Sequence, residues 1–428
     1  MKWGSKMRPS KKVQWTKLDN ASKIFPSTAN NRDTKVYRLS CEIYEDVNPE
    51  ILQAALDLTI DSFPIYRSVL RRGVFWYYFE RSDIQPIVKK ESKLLCAPLY
   101  FKNNRNLLFR VIYYNKRINV EIFHVLTDGA GAIWFGETLV FHYLMLAYKE
   151  ALQDVTPKLN YKASISQKMA DSFEKTYYKH KESLLKDTEK HTLAYQIKGS
   201  RLDENRVRLI EGGMSVESVI ALSRENNVSL TVFLAALFLY SINKDMPEKK
   251  KTRPVVLSVP INLRQIYQSI TARNFFTTMN IRYNLSKESA DFSEILKAVD
   301  KAFKEHLTKE AVDLKMAKFM ALESNPFARI IPLALKDISL KVGNAVNNSR
   351  ITTSLSNIGR ITTAPELEKY IKQFSICVFT RRPQITLCSY KDRLVISFTS
   401  PYEETELQKI FFQFLADQGI EIDIASNL

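Results

Sequence analysis

Apolar positions along the first half of the chain alternate between strand-like and helix-like spacing. Apolar and aromatic residues with a period of two indicate extended segments, and apolar residues three and four positions apart indicate helices. These patterns predict strands at residues 36–44, 74–79, 107–114 and 117–124, and helices at 49–62 and 130–150. The last two strands are joined through Asn115 and Lys116 and therefore form a hairpin.

The second half continues this mixture of strands and helices. Strands are predicted at residues 206–210, 255–260, 374–380, 384–390 and 394–399, and helices at 215–226, 230–242, 292–307, 331–342 and 405–415. Such alternation predicts an α/β protein, of the α+β type, in which helices pack on mixed sheets.

A charged and polar stretch separates the two halves. Residues 167–202 carry few apolar side chains, which is typical of a linker that crosses between domains, and 428 residues with 45% hydrophobic content fit two domains. The N-terminus is basic and poor in apolar residues, as mobile arms are. The predicted organisation is a basic mobile arm at 1–14, an N-terminal lobe at 15–166, a charged crossing linker at 167–202 and a C-terminal lobe at 203–428.

Composition excludes several kinds of site. Gly occurs 11 times, against about 30 expected at the average usage of roughly 7%, which leaves little material for glycine-rich phosphate loops. The longest apolar run, residues 231–242, is shorter than the roughly 20 residues of a spanning helix, and no apolar stretch follows the basic N-terminus as in a secretory signal. The 4 cysteines lie far apart, which argues against disulfides and zinc. We expect a cytoplasmic protein with no membrane span and no bound metal.

The formal net charge of +17 indicates polyanionic partners. Nucleic acid, an anionic membrane, an acidic carrier protein and a phosphate-rich coenzyme all fit this charge. The basic residues are scattered along the chain, and no recognised module for reading nucleic acid is present. A nucleic-acid-binding protein therefore remains only an alternative, and we expect no nucleic-acid partner.

The most informative motif joins His124 to Asp128 and Gly129. His124 ends the second strand of the hairpin on the same face as that strand's apolar residues, and a turn and a helix start follow at once. An imidazole held rigidly at the mouth of an interior space is suited to act as a general base. A histidine satisfied within the core is the alternative. Asp128 can cap the following helix and hold the turn by pairing with an arginine.

This H-x-x-x-D-G motif at a strand end resembles the signature of the CoA-dependent and carrier-dependent acyltransferases. That superfamily includes chloramphenicol acetyltransferases, condensation domains of peptide synthetases, wax ester synthases and plant-type acyltransferases. Within it, the resemblance points to bacterial alcohol acetyltransferase-like or free-standing condensation-like proteins. Its further landmarks are residues 18–21, 63–64, 73–76, 259–264 and 356–359. Two positions depart from it: Phe123 stands where many members have a second histidine, and Arg273-Asn274 stands where several have Gly-Asn.

The resemblance implies two chloramphenicol-acetyltransferase-like lobes around a central tunnel, with His124 at the middle. His124 would take the proton from an alcohol or amine that attacks the thioester of acyl-CoA. The coenzyme A thioester is then a co-substrate, and neither a permanently bound cofactor nor a covalent intermediate is needed. His124 and Asp128 form the catalytic motif, with Asp128 in a structural role. The other candidate substrate-site residues are Gly129, Arg264 as the partner of Asp128, and Ser354, Ser356 and Asn357 as oxyanion donors. A structural turn is the alternative for residues 356–359, and a surface arginine is the alternative for Arg264.

Related activities stay open beside this one. A condensation enzyme would form an ester or amide from an acyl group on an acyl carrier protein, and an inactive scaffold would keep the fold alone. Two basic stretches, residues 249–253 and 381–382, are candidates to meet the phosphates of the coenzyme or an acidic carrier. Solvated loops are the alternative for both.

Overall fold

Three sheets with helices packed on them form the part of the chain that the structure describes, residues 15–155, 164–173, 192–203, 206–324 and 329–427. In this computed structural model the strands are β1 Trp15–Lys17, β2 Val36–Ile43, β3 Ser68–Arg72, β4 Tyr77–Arg81, β5 Lys89–Lys90, β6 Phe109–Tyr114, β7 Arg117–Phe123, β8 Arg208–Ser215, β9 Val255–Asn262, β10 Phe276–Tyr283, β11 Thr353–Ile361, β12 Ile371–Val378, β13 Gln384–Tyr390, β14 Arg393–Ser400 and β15 Asp423–Ser426. The helices are α1 Phe25–Thr28, α2 Pro49–Ile60, α3 Gly129–Ala147, α4 Lys149–Leu152, α5 Ile165–Lys168, α6 Val216–Glu225, α7 Leu230–Asp245, α8 Leu263–Tyr267, α9 Phe292–His306, α10 Lys309–Ser324, α11 Leu333–Ser349 and α12 Glu406–Asp417. The predicted mixed α/β class is confirmed.

The predicted hairpin is formed by β6 and β7 inside a five-stranded sheet of order β12-β2-β7-β6-β5. Strand β2 pairs antiparallel with β7, with Val36 opposite Phe123. Helix α3 packs on this sheet so closely that a side chain at Gly136 would overlap Leu39. The first hydrophobic core therefore lies between this sheet and the helices α2 and α3.

Helix α3 is long and apolar enough to cross a membrane by length and composition alone. However, 67% of its most apolar 18-residue window is buried inside the protein. Burial on this scale is typical of a core helix. Helices α6 and α7 pass the same test only as a pair, and they are bent by 82° at their junction.

The second hydrophobic core lies on a seven-stranded sheet of order β10-β9-β11-β13-β14-β8-β15. Helix α7 is buried on almost every side, with Leu234 and Phe238 inaccessible to solvent. The apolar run in the sequence predicts a buried helix here. Helices α9 and α12 pack against α7, which explains why α7 has no polar face.

Strand β12 belongs to the C-terminal half of the chain but pairs with β2 in the five-stranded sheet. Cys377 lies opposite Arg38, and Phe374 lies opposite Cys41. The chain then returns to the seven-stranded sheet at β13, so one strand crosses between the two sheets. The limits of the lobes at 15–166 and 203–428 stay a prediction, since the hydrophobic cores exchange elements across them.

Some elements differ from the sequence-based expectation. Residues 73–76 form a turn closed by a hydrogen bond of 2.9 Å from Gly73 N to Trp76 O, so the strand predicted at 74–79 begins at Tyr77. Residues 356–359 lie within β11, where a register shift between Asn357 and Gly359 replaces the expected turn. Strand β10 and helix α10 were not predicted. Residues 1–14 and 174–191, parts of the predicted arm and linker, lie outside the described residues.

Candidate active site

His124 lies directly after β7, where the backbone leaves the sheet for α3. Its backbone N donates to Lys35 O at 2.8 Å, which continues the pairing of β7 with β2 by one residue. Its imidazole is enclosed by aromatic rings, with centroid distances of 4.5 Å to Phe25, 5.1 Å to Tyr37 and 5.6 Å to Phe276. The ring is therefore held by packing on several sides, while the side chain keeps some exposure.

Asn274 fixes the tautomer of His124. Asn274 Nδ2 donates to His124 O at 3.0 Å and to Ser22 Oγ at 2.9 Å, so its Oδ1 is the atom that faces His124 Nδ1 at 3.0 Å. Because an amide oxygen only accepts, this network assigns the proton to Nδ1 and the lone pair to Nε2. A lone pair on Nε2 is what a general base requires.

The pKa of His124 lies below its ordinary value. Burial lowers this pKa because the imidazolium loses hydration, while hydrogen bonds to its own backbone and to Asn274, and the charge of Asp128, act in the opposite direction. Burial therefore wins, and the neutral, proton-accepting form is favoured at neutral pH.

Asp128 is held by four hydrogen bonds that leave its carboxylate no free direction. Arg264 donates to both oxygens, at 2.8 Å and 2.9 Å, and the backbone N of Phe275 donates at 2.8 Å. Gly131 N donates at 3.2 Å, which makes Asp128 the N-cap of α3. The structure thus contains the pair with Arg264 that the sequence suggested, and it links the motif to the second half of the chain. These contacts support a structural role for Asp128.

The guanidinium of Arg264 has further acceptors. Its Nε donates to Thr271 O at 2.9 Å, and its Nη2 donates to Arg273 O at 2.5 Å. It also lies over the ring of Trp134 on α3, 5.6 Å from the centroid. Arg264 therefore fixes the segment that leads to Asn274. Its Nε, Nη1 and Nη2 atoms all donate to acceptors within the protein, so we expect no direct contact with substrate.

A second buried ion pair supports the same segment. Asp19 and Arg273 face each other with 3.5 Å between Oδ2 and Nε, and both are almost inaccessible. Burial raises the pKa of Asp19, and the charge of Arg273 opposes this shift. Asp19 Oδ1 lies 2.5 Å from Ser22 Oγ, which in turn accepts from Asn274. One network thus joins residues 19–22, a landmark of the resemblance, to His124.

Glycines let the two halves approach at the motif. A side chain at Gly129 would come within 2.7 Å of Ile358 on β11, and one at Gly131 would overlap the carbonyl oxygen of Ala272. Gly129 therefore allows close packing of α3 against β11. This role differs from the predicted one, a direct contact with substrate.

The three candidate oxyanion donors lie on β11 and differ in their surroundings. Asn357 Nδ2 donates to Thr231 Oγ1 at 2.8 Å, and its Oδ1 accepts from Gly359 N at 2.9 Å, so both ends of its amide are engaged. Ser354 and Ser356 are only partly buried, although β11 is an interior strand of the sheet.

Register places these serines on the face that meets His124. Ser354 pairs with Ser258 on β9, and Phe276 pairs with Asn262 on the same strand. Residues 258 and 262 share a face because side chains alternate along a strand, so Ser354 and Phe276 share it too. Ser356 lies two residues beyond Ser354 on that face, which is opposite to the second hydrophobic core.

Sequence reasoning assigned no role to Asn274 or to the three aromatic rings around His124. Asn274 was noted only within a departure from the resemblance, and it lies 150 residues from His124. The available signal was the residue type. An asparagine side chain can donate and accept hydrogen bonds at once, and Asn274 stands directly before two apolar residues, Phe275 and Phe276.

No protein-family model matches the chain, and no curated protein sequence matches it. Solved structures do match. Polyketide synthase associated protein 5 from Mycobacterium tuberculosis has 13% identity and a TM-score of 0.57, with 94% of this chain and 96% of that chain covered. TRI101 from F. graminearum, complexed with coenzyme A and deoxynivalenol, has 10% identity and a TM-score of 0.64, with 96% and 99% covered. The first condensation domain of the CDA synthetase has 13% identity and a TM-score of 0.60, with 95% and 96% covered.

These matches extend over nearly the whole chain. At sequence identities this low, they show similarity of the fold alone. The fold is that of the two-lobed acyltransferases and condensation domains, and the resemblance stated from the sequence is confirmed at this level. Among the described residues, no group of three or more His, Cys, Asp or Glu could hold a metal ion. Cys41, Cys96, Cys377 and Cys388 are buried and free of disulfides.

Proposed function

We propose that this protein is an acyltransferase that moves an acyl group from acyl-CoA to an alcohol or amine, with His124 as the general base. The observation that carries the proposal is the imidazole of His124, held by Asn274 so that Nε2 keeps its lone pair. The lowered pKa of His124 keeps it neutral before the acceptor arrives.

The reaction follows from this geometry. Nε2 of His124 takes the proton from the acceptor hydroxyl or amine as that oxygen or nitrogen forms a bond to the thioester carbonyl carbon. The tetrahedral intermediate then expels the CoA thiolate, which receives the proton back from Nε2. Throughout, Nδ1–H donates to Asn274 Oδ1, and the nearby charge of Asp128 favours the transient imidazolium. The acyl group passes directly from thiol to acceptor, so no covalent acyl-enzyme forms.

Ser354 and Ser356 are our candidates to stabilise the oxyanion. Both serines share a sheet face with Phe276, which contacts the ring of His124, and both keep partial exposure. Removal of a single oxyanion donor lowers kcat by roughly 100- to 1000-fold in other enzymes. We expect a loss of this size for either Ser354→Ala or Ser356→Ala, and little effect for the other. Unchanged kcat in both variants would remove β11 from the mechanism.

The acyl donor is tested by thiol release. Purified protein is offered a short acyl-CoA together with a panel of alcohols and amines, and free thiol is followed with a thiol reagent. We expect release that depends on the acceptor. If acyl-CoA is inert while an acylated carrier protein is consumed, the condensation enzyme replaces this proposal. The similarity to a condensation domain favours that second candidate. Inertness of both donors would favour the inactive scaffold.

A further inference from the structure

A basic cleft of about 350 Å³ lies where the segment 196–201 meets the loop between β12 and β13. Its lining includes Lys198, Arg201, Arg381, Arg382 and the ring of Tyr402. Lys198, Arg201 and Arg381 are exposed, and none of them forms an ion pair within the part of the chain that the structure describes. Four cations thus converge on one concave surface, while the carboxylate of Glu404 beside Gly199 accepts from the backbone N of Ser200 at 2.9 Å.

The guanidinium of Arg382, which lines this cleft, is held by neutral acceptors. Its guanidinium donates to the backbone oxygens of Asn348 and Ile351 and to Asn348 Oδ1, all of which are neutral acceptors. Burial, together with the charge of Arg381, lowers the pKa of Arg382 to about 10, and the charge of Asp33 opposes this shift only partly. A half-buried cation satisfied only by neutral oxygens gains stability from an anion beside it.

The neighbouring guanidinium is also oriented by its surroundings. Arg201 Nη2 donates to Arg381 O at 3.3 Å, and its guanidinium lies over the ring of Tyr402, 5.4 Å from the centroid. These contacts use the face and one edge of Arg201 and leave its other N–H groups free for a ligand. Planar, pre-oriented guanidinium groups are suited to phosphate.

The cleft lies at a fixed, short distance from His124. Phe379 N donates to Val36 O at 2.9 Å, and Val36 lies opposite Phe123, so two strand spacings of about 4.8 Å separate Phe379 from the His124 strand. Three more residues of extended chain, at most about 10 Å, lead to Arg382. The backbone at Arg382 is therefore within about 20 Å of Phe123, the residue directly before His124, and an extended flexible arm can bridge a span of this size.

Polar side chains of β11 and β9 lie between the cleft and His124. Thr353 and Ser354, at the start of β11, lie beside the loop that carries Arg382, because Thr353 Oγ1 donates to Pro383 O at 2.5 Å. The face of Ser354 continues along the sheet to Phe276, which contacts His124. A path along one sheet face thus joins the cleft to the imidazole.

We propose that this cleft binds the phosphate groups of the thioester donor while the pantetheine arm extends along the Ser354 face to His124. The inference rests on the proposed acyl transfer. Its ligand chemistry is a phosphate ester on a pantetheine arm, which coenzyme A and a carrier protein both supply.

The test removes charge from the cleft without disturbing its buried part. The double variant Lys198→Gln/Arg381→Gln changes only exposed side chains, and Lys89→Gln/Lys90→Gln removes the same charge from the exposed edge strand β5. Binding of CoA is measured by calorimetry, and KM is measured for acetyl-CoA and for S-acetyl-N-acetylcysteamine, a thioester without phosphate. We expect the cleft variant to raise the Kd of CoA and the KM of acetyl-CoA by roughly tenfold or more, with kcat and the KM of the phosphate-free thioester unchanged. The control variant should match the wild type.

Equal CoA affinity in the wild type and the cleft variant would overturn the inference, as would an equal loss in the control. Pantetheine 4′-phosphate distinguishes the sources: a loss confined to CoA assigns the nucleotide phosphates, and an equal loss for both ligands assigns the phosphate that CoA shares with carrier proteins. Failure of the proposed function is a separate result. If the wild type releases no thiol but the cleft variant binds CoA more weakly, the cleft binds phosphate and the proposed acyl transfer is wrong. If the wild type releases thiol and the cleft variant binds CoA as tightly as the wild type, acyl transfer is supported and the cleft proposal is wrong.

Helix α11 carries an independent feature, an apolar stripe that faces away from the protein. Its packed side includes Leu333 and Asp337, and Asp337 accepts from Ser27 on α1 at 2.6 Å. Large side chains three and four residues apart lie on the opposite side of the helix, each 44% to 60% exposed: Leu335, Ile338, Val342 and Val346. Solvated apolar stripes of this length mark a binding surface.

The surroundings of the stripe are cationic and aromatic. Lys336 and Lys341 lie on its two flanks, and the one acidic residue of α11, Asp337, is buried. The turn with exposed Phe75 and Trp76 lies beside the helix start, where Lys336 Nζ donates to Phe75 O at 2.9 Å. Apolar residues with flanking lysines and aromatic rings are the pattern of helices that lie in a lipid interface.

We infer that this surface, formed by the α11 stripe and residues 74–76, docks on an anionic lipid surface. A second copy of the chain fits less well, since two stripes face to face would bring Lys336 and Lys341 of both copies together with no carboxylate between them. A layer of anionic headgroups over acyl chains meets both the charge and the apolar side chains, and the net charge of +17 adds long-range attraction.

Co-sedimentation with vesicles tests this docking. We expect the wild type to bind phosphatidylglycerol-containing vesicles more tightly than pure phosphatidylcholine vesicles, and Leu335→Ser/Ile338→Ser to weaken that binding by roughly tenfold or more. Leu58→Ser, at an equally exposed leucine on α2, is the control and should bind as the wild type does. Absence of vesicle binding by the wild type, or unchanged binding by the double variant, would overturn the inference. A wild-type dimer that dissociates in the double variant, measured by sedimentation velocity, would assign the stripe to self-association instead.

Discussion

Replacement of Asn274 tests how His124 is positioned. Asn274→Ala removes the two hydrogen bonds that hold His124, to Nδ1 and to the His124 carbonyl at 3.0 Å each, together with the hydrogen bond to Ser22 Oγ at 2.9 Å. One intramolecular hydrogen bond contributes about 0.5 to 1.5 kcal/mol, so the two together contribute about 1 to 3 kcal/mol. If both act in the transition state, kcat/KM falls by roughly 5- to 150-fold.

The pH dependence separates positioning from a general loss of structure. Burial lowers the pKa of His124 and the Asn274 hydrogen bond raises it, so Asn274→Ala should lower this pKa further. Because the reaction needs neutral His124, activity rises with pH through this pKa, and the rising limb should move to lower pH. Asn274→Asp places a carboxylate beside Nδ1 and should move the limb to higher pH.

The assay is the pH profile of kcat/KM for thiol release by the wild type and both variants. Asn226→Ala, at an exposed asparagine whose Nδ2 caps the end of α6, serves as the matched control and should keep the wild-type profile. A folding defect would lower activity in both Asn274 variants without moving the limb in opposite directions. Identical limbs in the two variants would refute the assignment of Asn274 as a positioning residue.

Two further predictions concern the frame around the site. Asp128→Asn breaks a buried pair and should lower the free energy of unfolding by about 3 to 5 kcal/mol in denaturant titrations, whereas Asp300→Asn, in an exposed pair, should change it by less than about 1 kcal/mol; normal stability with lost turnover would instead give Asp128 a chemical role. Gly131→Ala should destabilise the fold because its methyl group overlaps the backbone of Ala272, whereas Gly343→Ala, in open space on α11, should stabilise it by about 0.5 to 1 kcal/mol; equal effects on melting temperature would contradict this packing.

Local features of the candidate site could be predicted from the sequence because they lie close together in it. His124, Asp128 and Gly129 fall within six residues, so alternation in the hairpin and the capping preference of aspartate were enough to place them at a strand end and a helix start. The pairing of Asp128 with Arg264 was predicted from a different constraint, since a buried carboxylate needs a cation and Arg264 follows an apolar strand.

Non-local features could not be predicted in the same way. Residues 374–380 have the alternation of a strand, yet nothing in them states that β12 pairs with β2 instead of a neighbour in its own half. Asn274 reaches His124 only because β9 and β10 pair and carry its segment back toward α3. Such partners depend on long-range packing, which local periodicity does not encode.

Thiol release by His124→Ala tests the central claim most directly. The matched control is His142→Ala, which also removes a half-buried imidazole with a lowered pKa. The imidazole of His142 lies on α3 and contacts Thr59 Oγ1 of α2 at 2.9 Å. With an acceptor and acyl donor that the wild type uses, we predict that His124→Ala loses thiol release by roughly 100-fold or more while His142→Ala keeps it within a few-fold. Circular dichroism establishes that both variants are folded. A folded His124→Ala protein that releases thiol at the wild-type rate would contradict the account.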